Sequence, residues 1–119
     1  MKTLTTLISL LILTSCAQQK KEANNLNPIE KTQWMKDFIK QTEENPFPTK
    51  AMIVQYTYNN ETVYLVDQCY QCPDAISTLY NIKKERLCTF GGMIPNTNNC
   101  PDFFDKATNK KILWKNFDK

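Results

Sequence analysis

Four cysteines in the second half of the chain, Cys69, Cys72, Cys88 and Cys100, are the side chains with the widest chemical reach, spaced C-x₂-C-x₁₅-C-x₁₁-C. Thiols at such spacings can do three things: hold a tetrahedral zinc ion, cycle as a redox pair, or close as structural disulfides. The chain contains no histidine. Histidine general bases, the common His-bearing metal sites and the Ser-His-Asp arrangement therefore fall away. Cys69-Tyr-Gln-Cys72 has the spacing of a redox site, but that chemistry is usually placed at a helix start within a βαβ unit. Here the pair follows a strand-like run, and Pro73 removes a backbone donor that a thiolate at Cys72 would need. A redox role for Cys69 and Cys72 is not expected.

The fifth cysteine, Cys16, has a different setting. Met1 and Lys2 form a short basic start, and Leu4–Leu13 (LTTLISLLIL) is an apolar run broken only by Thr5, Thr6 and Ser9. That run is too short to span a bilayer, which takes about 20 apolar residues, and has the length of a secretory signal core. Leu13-Thr14-Ser15-Cys16 then resembles the bacterial lipobox, in which the cysteine thiol receives a diacylglyceryl group and cleavage occurs before it. The expectation is a signal peptide at residues 1–15 and a membrane anchor on Cys16, with acyl chains such as palmitate contributing roughly 0.8 kcal/mol per buried CH₂. Export favours disulfides over zinc for the remaining cysteines. Four cysteines allow three pairings, and the sequence does not choose among them.

Other chemistry is sparse. Asp67, Asp74, Asp102 and Asp105 fall at strand ends or in loops, where carboxylates are ordinarily solvated, and no glycine-rich phosphate loop is present. Neither a metal nor another cofactor is expected. Removing residues 1–15 from the 119 leaves 104, enough for one domain, with 14 Lys+Arg against 12 Asp+Glu once Lys2 is lost. That balance gives no basic footprint for nucleic acid. Lys20-Lys21 lies close to Cys16, where it favours an anionic lipid surface by about 1 kcal/mol per charge.

Residues 16–26 are the lipidated cysteine and a polar, flexible tether, and residues 27–119 form a single small globular domain. Asn27 suits an N-cap with Pro28 at the first helical position, and Trp34, Met35, Phe38 and Ile39 make one apolar stripe on a helix to about Glu44. Met52–Tyr58 and Thr62–Val66 alternate as strands, joined by a type I′ turn at Asn59-Asn60. That turn sets Tyr56 opposite Val63 and Val54 opposite Leu65, an apolar face for the helix to cover. Ile53 with Val66, Gln55 with Tyr64 and Thr57 with Thr62 fall on the other, mixed face, left half wet or under later loops. Ser77–Ile82 and Glu85–Phe90 suggest a second hairpin around Lys83-Lys84. Gly91-Gly92 suggest positive φ or a close backbone approach, and Lys111–Trp114 a last strand. The expected fold is α+β: an N-terminal helix packed on a small antiparallel β-sheet of about four to five strands, its loops braced by two disulfides.

The stretches Tyr56-Thr-Tyr-Asn-Asn-Glu-Thr-Val-Tyr64, the cysteine pair before Ser77-Thr-Leu-Tyr80, Leu87-Cys-Thr-Phe-Gly-Gly92, Asn99-Cys-Pro-Asp-Phe103 and Ile112-Leu-Trp114 resemble a family of small uncharacterised lipoproteins from Bacteroidetes-type bacteria, a domain of unknown function. Family members usually carry adjacent cysteines at the first pair, a glycine in the second hairpin turn and a glycine-rich run before the last cysteine. This chain has Cys69-x-x-Cys72, Lys83-Lys84 and Asn96–Asn99 there. The resemblance implies four paired cysteines and export, and no activity. The expected function is a non-enzymatic, lipid-anchored binding or structural module of the cell envelope. It would sit on the cell or outer membrane, its domain in the periplasm or at the cell surface, with an envelope protein as partner. Tyr70, Met93 and Ile94 are the candidate contact residues. The alternative is an inhibitor or immunity-type protein that blocks a hydrolase with a disulfide-braced loop.

Overall fold

The structure, a computed structural model, describes residues 27–92 and 100–118. The signal-peptide, tether and Cys16 assignments, and the contact roles expected of Met93 and Ile94, lie outside the described residues. Five strands form one antiparallel sheet: β1 (Met52–Tyr58), β2 (Glu61–Asp67), β3 (Ile76–Tyr80), β4 (Arg86–Gly91) and β5 (Thr108–Lys115), in the order β4-β3-β2-β1-β5. Three short helices accompany them among the described residues: α1 (Pro28–Lys31), α2 (Gln33–Glu44) and α3 (Phe103–Lys106). The protein is mostly sheet. No helix among the described residues is long and apolar enough to cross a membrane.

Local chemistry explains the boundaries. The Asn27 side chain caps α1 by accepting from the Ile29 amide at 3.1 Å, with Pro28 in the first turn. The single helix expected from Pro28 to Glu44 is divided at Thr32, whose backbone is extended and whose carbonyl accepts from the amides of Met35 and Lys36. Thr32 thus serves as N-cap of α2. At the other end Pro46 disfavours helical backbone at Asn45, and α2 stops at Glu44.

Asn59 and Asn60 both take positive φ, as a type I′ turn requires, and the β1–β2 register follows: Tyr56 faces Val63, Val54 faces Leu65 and Ile53 faces Val66. The second hairpin is tighter in its strands than the sequence suggests. The Asn81 side-chain oxygen accepts from the amides of Lys83 and Glu85, Lys84 has positive φ, and residues 81–85 become the turn. Gly91 has φ +83°, and a Cβ there would run into the Ala75 carbonyl oxygen, so both expected reasons for a glycine apply. The edge strand β5 carries Lys110, Lys111 and Lys115 and two register shifts against β1, features that discourage pairing with another sheet.

Both faces of the sheet are covered, and the covering is the reverse of the sequence expectation. Met35 of α2 is wholly buried against Ile53, Tyr64 and Val66, the face expected to be mixed and partly wet. Trp34 meets Tyr64 and Tyr80, and its indole N–H donates to the Ile82 carbonyl at 2.9 Å. The richer face, with Val54, Tyr58, Val63 and Leu65, is closed by Cys88, Cys100 and Phe103. Cys88 projects from β4 onto that face beside Leu79, its disulfide draws Cys100 over it, and α3 follows three residues later. The first helix is left with the opposite face. Phe103 is fully buried, in edge contact with Tyr56 and Tyr58 and tilted against Phe90.

Candidate ligand-binding cleft

The four cysteines do not converge on one point. They join as Cys69–Cys72 and Cys88–Cys100, with Cα separations of 5.4 and 5.9 Å, within the ordinary disulfide range. A single four-thiolate zinc site is thereby replaced by two cystines. Cys88–Cys100 belongs to the core, whereas Cys69–Cys72 braces the connection from β2 to β3 and forms part of a cleft.

That cleft, of about 350 Å³, is lined by Phe38, Gln41, Thr42, Asn45, Thr49, Gln68 and Cys69. Phe38, Gln41 and Thr42 share one face of α2 because they lie three and four residues apart. Asn45 caps that helix, Thr49 comes from the connection to β1, and Gln68 and Cys69 follow β2. Fixed hydrogen bonds hold these walls. The Thr42 hydroxyl donates to the Phe38 carbonyl at 2.7 Å, and the Asn45 side-chain oxygen accepts from the Phe47 amide at 2.9 Å. The Thr49 hydroxyl donates to the Gln68 carbonyl at 2.6 Å, tying one wall to the other. Asn116 clamps the same loop, donating to the Thr49 carbonyl at 2.7 Å and accepting from the Ala51 amide at 2.8 Å.

The Cys69–Cys72 turn is similarly constrained. The Cys69 amide donates to Asp67, the Cys72 amide to the Cys69 carbonyl, and the Tyr70 amide to the Lys50 carbonyl at 2.6 Å. Gln71 and Asp74 both take positive φ. Tyr70, expected to be a contact residue, is half-buried, and its ring stacks on Phe117 at 5.0 Å and 11°. Lys50 and Lys115 approach the Phe117 ring at 5.8 and 5.5 Å. Tyr70 and Lys50 are the chain neighbours of the lining residues Cys69 and Thr49.

A second cleft, of about 490 Å³, is lined by Glu61, Thr62, Tyr64, Asn81, Ile82, Lys83 and Glu85. Its walls are two exposed hairpin tips, its charges are of both signs, and the Asn81 side-chain oxygen is occupied by its own turn. The first cleft is the better candidate because a cystine and a cross-wall hydrogen bond fix its shape.

One polar cluster escaped the sequence reading. Tyr58 donates to Asp102 at 2.5 Å, and Lys106 pairs with the other carboxylate oxygen at 3.0 Å. The Tyr58 hydrogen bond, then Lys106, hold the Asp102 carboxyl below its usual range; the same Asp102 bond raises both Tyr58 and Lys106. The cluster pins α3 to the end of β1 and has the form of a structural latch. Among the described residues no group of three or more histidine, cysteine, aspartate or glutamate side chains is placed to hold a metal ion.

The cleft residues Gln41, Asn45, Thr49 and Gln68 had no signal in sequence. Neutral polar residues at a helix flank or a strand end carry no periodic or motif signature. A family model for a domain of unknown function (DUF6970) matches residues 37–116. No curated protein and no solved structure matches the chain.

Proposed function

The chain belongs to the DUF6970 family, a domain of unknown function, and on that premise we propose that it is an exported, lipid-anchored binding module of a bacterial cell envelope. One observation carries the reading. Cys69, Cys72, Cys88 and Cys100 are all used in two cystines, so Cys16 in Leu13-Thr14-Ser15-Cys16 is the odd thiol, placed where a lipobox cysteine belongs. Two cystines accord with an oxidising compartment outside the cytoplasm. Two or more acyl chains on Cys16 give stable membrane attachment where one is marginal. The protein acts by holding a ligand or envelope partner close to the membrane, without catalysis.

Metabolic labelling with an alkyne analogue of palmitate tests the anchor. The wild-type protein is expected to take up label and partition with membranes, and Cys16→Ser to lose both. Label retained in Cys16→Ser, or absent from the wild type, overturns the reading.

A further inference from the structure

We propose that the cleft between the end of α2 and the Cys69–Cys72 turn binds a neutral oligosaccharide. The inference rests on the binding-module reading and names its ligand class.

Among the described residues, none that lines this cleft is charged. Phosphate-bearing and carboxylate ligands, which would call for a facing cation, are disfavoured; Lys50 and Lys115 approach the Phe117 ring instead. A lipid or other apolar ligand calls for a mainly apolar lining, whereas among the described lining residues Phe38 is the one large apolar side chain and the rest are amides, hydroxyls and a cystine. The two glutamines are the informative residues. Thr42, Thr49 and Asn45 are engaged in fixing the walls, but Gln41 and Gln68 make no side-chain hydrogen bond among the described residues. Each primary amide offers a donor and an acceptor side by side. Adjacent hydroxyls on a sugar ring, each both donor and acceptor, match that pattern, and the C–H face of the ring suits an aromatic wall such as Phe38.

Two amides would also suit a peptide backbone. Peptide recognition, however, ordinarily uses an open sheet edge or pockets for successive side chains. The strand leading into the cleft is β2, which is paired on both sides, and the described lining residues include one large apolar side chain. The walls are already braced by the Cys69–Cys72 cystine and the Thr49–Gln68 hydrogen bond, so little ordering accompanies binding.

The test uses the full mature protein extracted from membranes in a detergent without a sugar headgroup. Chitotriose, cellotriose and maltotriose are titrated while tryptophan fluorescence is followed, Trp114 lying edge-on to Phe38 at 6.0 Å. At least one trisaccharide is expected to give a saturable change. Gln41→Ala and Gln68→Ala should each weaken it about tenfold, the loss of a neutral hydrogen bond or two, at unchanged melting temperature, and Lys83→Ala in the other cleft should not. Absence of saturation with all three sugars, or indifference to both glutamine substitutions, overturns the proposal. So does trialanine binding with the same glutamine dependence in place of the sugars, which assigns the cleft to peptide. Labelling at Cys16 is read separately. Sugar failure with labelling intact removes this inference alone, and labelling failure with sugar binding intact removes the anchor alone.

Discussion

The two cystines of this domain sit in unlike surroundings and do unlike work. Cys88 and Cys100 are 3% and 8% exposed, join an edge strand to the segment that carries Phe103, and lie within the larger core cluster. Cys69 and Cys72 are half-buried, three residues apart, and shape a turn at the wall of a cleft. In the chain-entropy description the longer closure contributes about 3 kcal/mol and the short one about 2 kcal/mol. A cross-link's worth thus lies partly in what it positions. One fixes which face of the sheet is closed by the C-terminal half of the chain, and the other fixes the form of a candidate site.

The heaviest loss of stability falls on the core side of this contrast. Phe103→Ala removes the ring that Tyr56, Tyr58 and Phe90 enclose and should cost about 3–5 kcal/mol, read from the urea midpoint. Equal stability of the variant would mean that the second face is not closed as described. Next comes the paired substitution Cys88→Ala with Cys100→Ala, expected to lower stability by about 3 kcal/mol with the cleft's ligand affinity little changed. The paired substitution Cys69→Ala with Cys72→Ala should cost less, at most about 2 kcal/mol, yet weaken binding in the cleft more. If the two double variants prove alike in both measurements, the division of roles between the cystines is wrong.

The smallest effect is the response of the Tyr58–Asp102–Lys106 latch to pH. Asp102 holds its proton less tightly folded than unfolded, so its contribution is present above the ordinary carboxylate range and fades as pH falls below about 4. Tyr58 and Lys106 hold theirs more tightly folded, so their contribution is present at neutral pH and fades as pH rises beyond about 10. Urea midpoints across pH should therefore fall at both extremes, and Asp102→Asn should flatten both limbs. Unchanged limbs in that variant would show that the latch does not couple to folding.

Much of the sheet was legible in the residues. Alternation in Met52–Tyr58 and Thr62–Val66, with two asparagines able to take positive φ, was enough to set the first hairpin and its register. The face taken by α2 was not legible, because the hairpin has apolar residues on both sides and content alone does not rank them. What decides is Cys88, which alternation puts beside Leu79 and Leu65, and its pairing with Cys100, which brings Phe103 onto that same face. With three pairings open, that constraint could not be applied from sequence. The stacking of Tyr70 on Phe117, a partner 47 positions away, is indicated by no local pattern. The cleft stayed hidden for a similar reason: Gln41 and Gln68 come together only once α2 has been placed over the sheet.

Peptide mapping of the unreduced protein purified from membranes reads the cysteine assignments in one experiment. The expected map has one peptide containing the Cys69–Cys72 cystine, one linked pair joining Cys88 to Cys100, and an N-terminal peptide beginning at Cys16 with its sulfur carrying diacylglycerol. A cross-link between Cys69 or Cys72 and either Cys88 or Cys100, or Cys16 found in a disulfide, would contradict it.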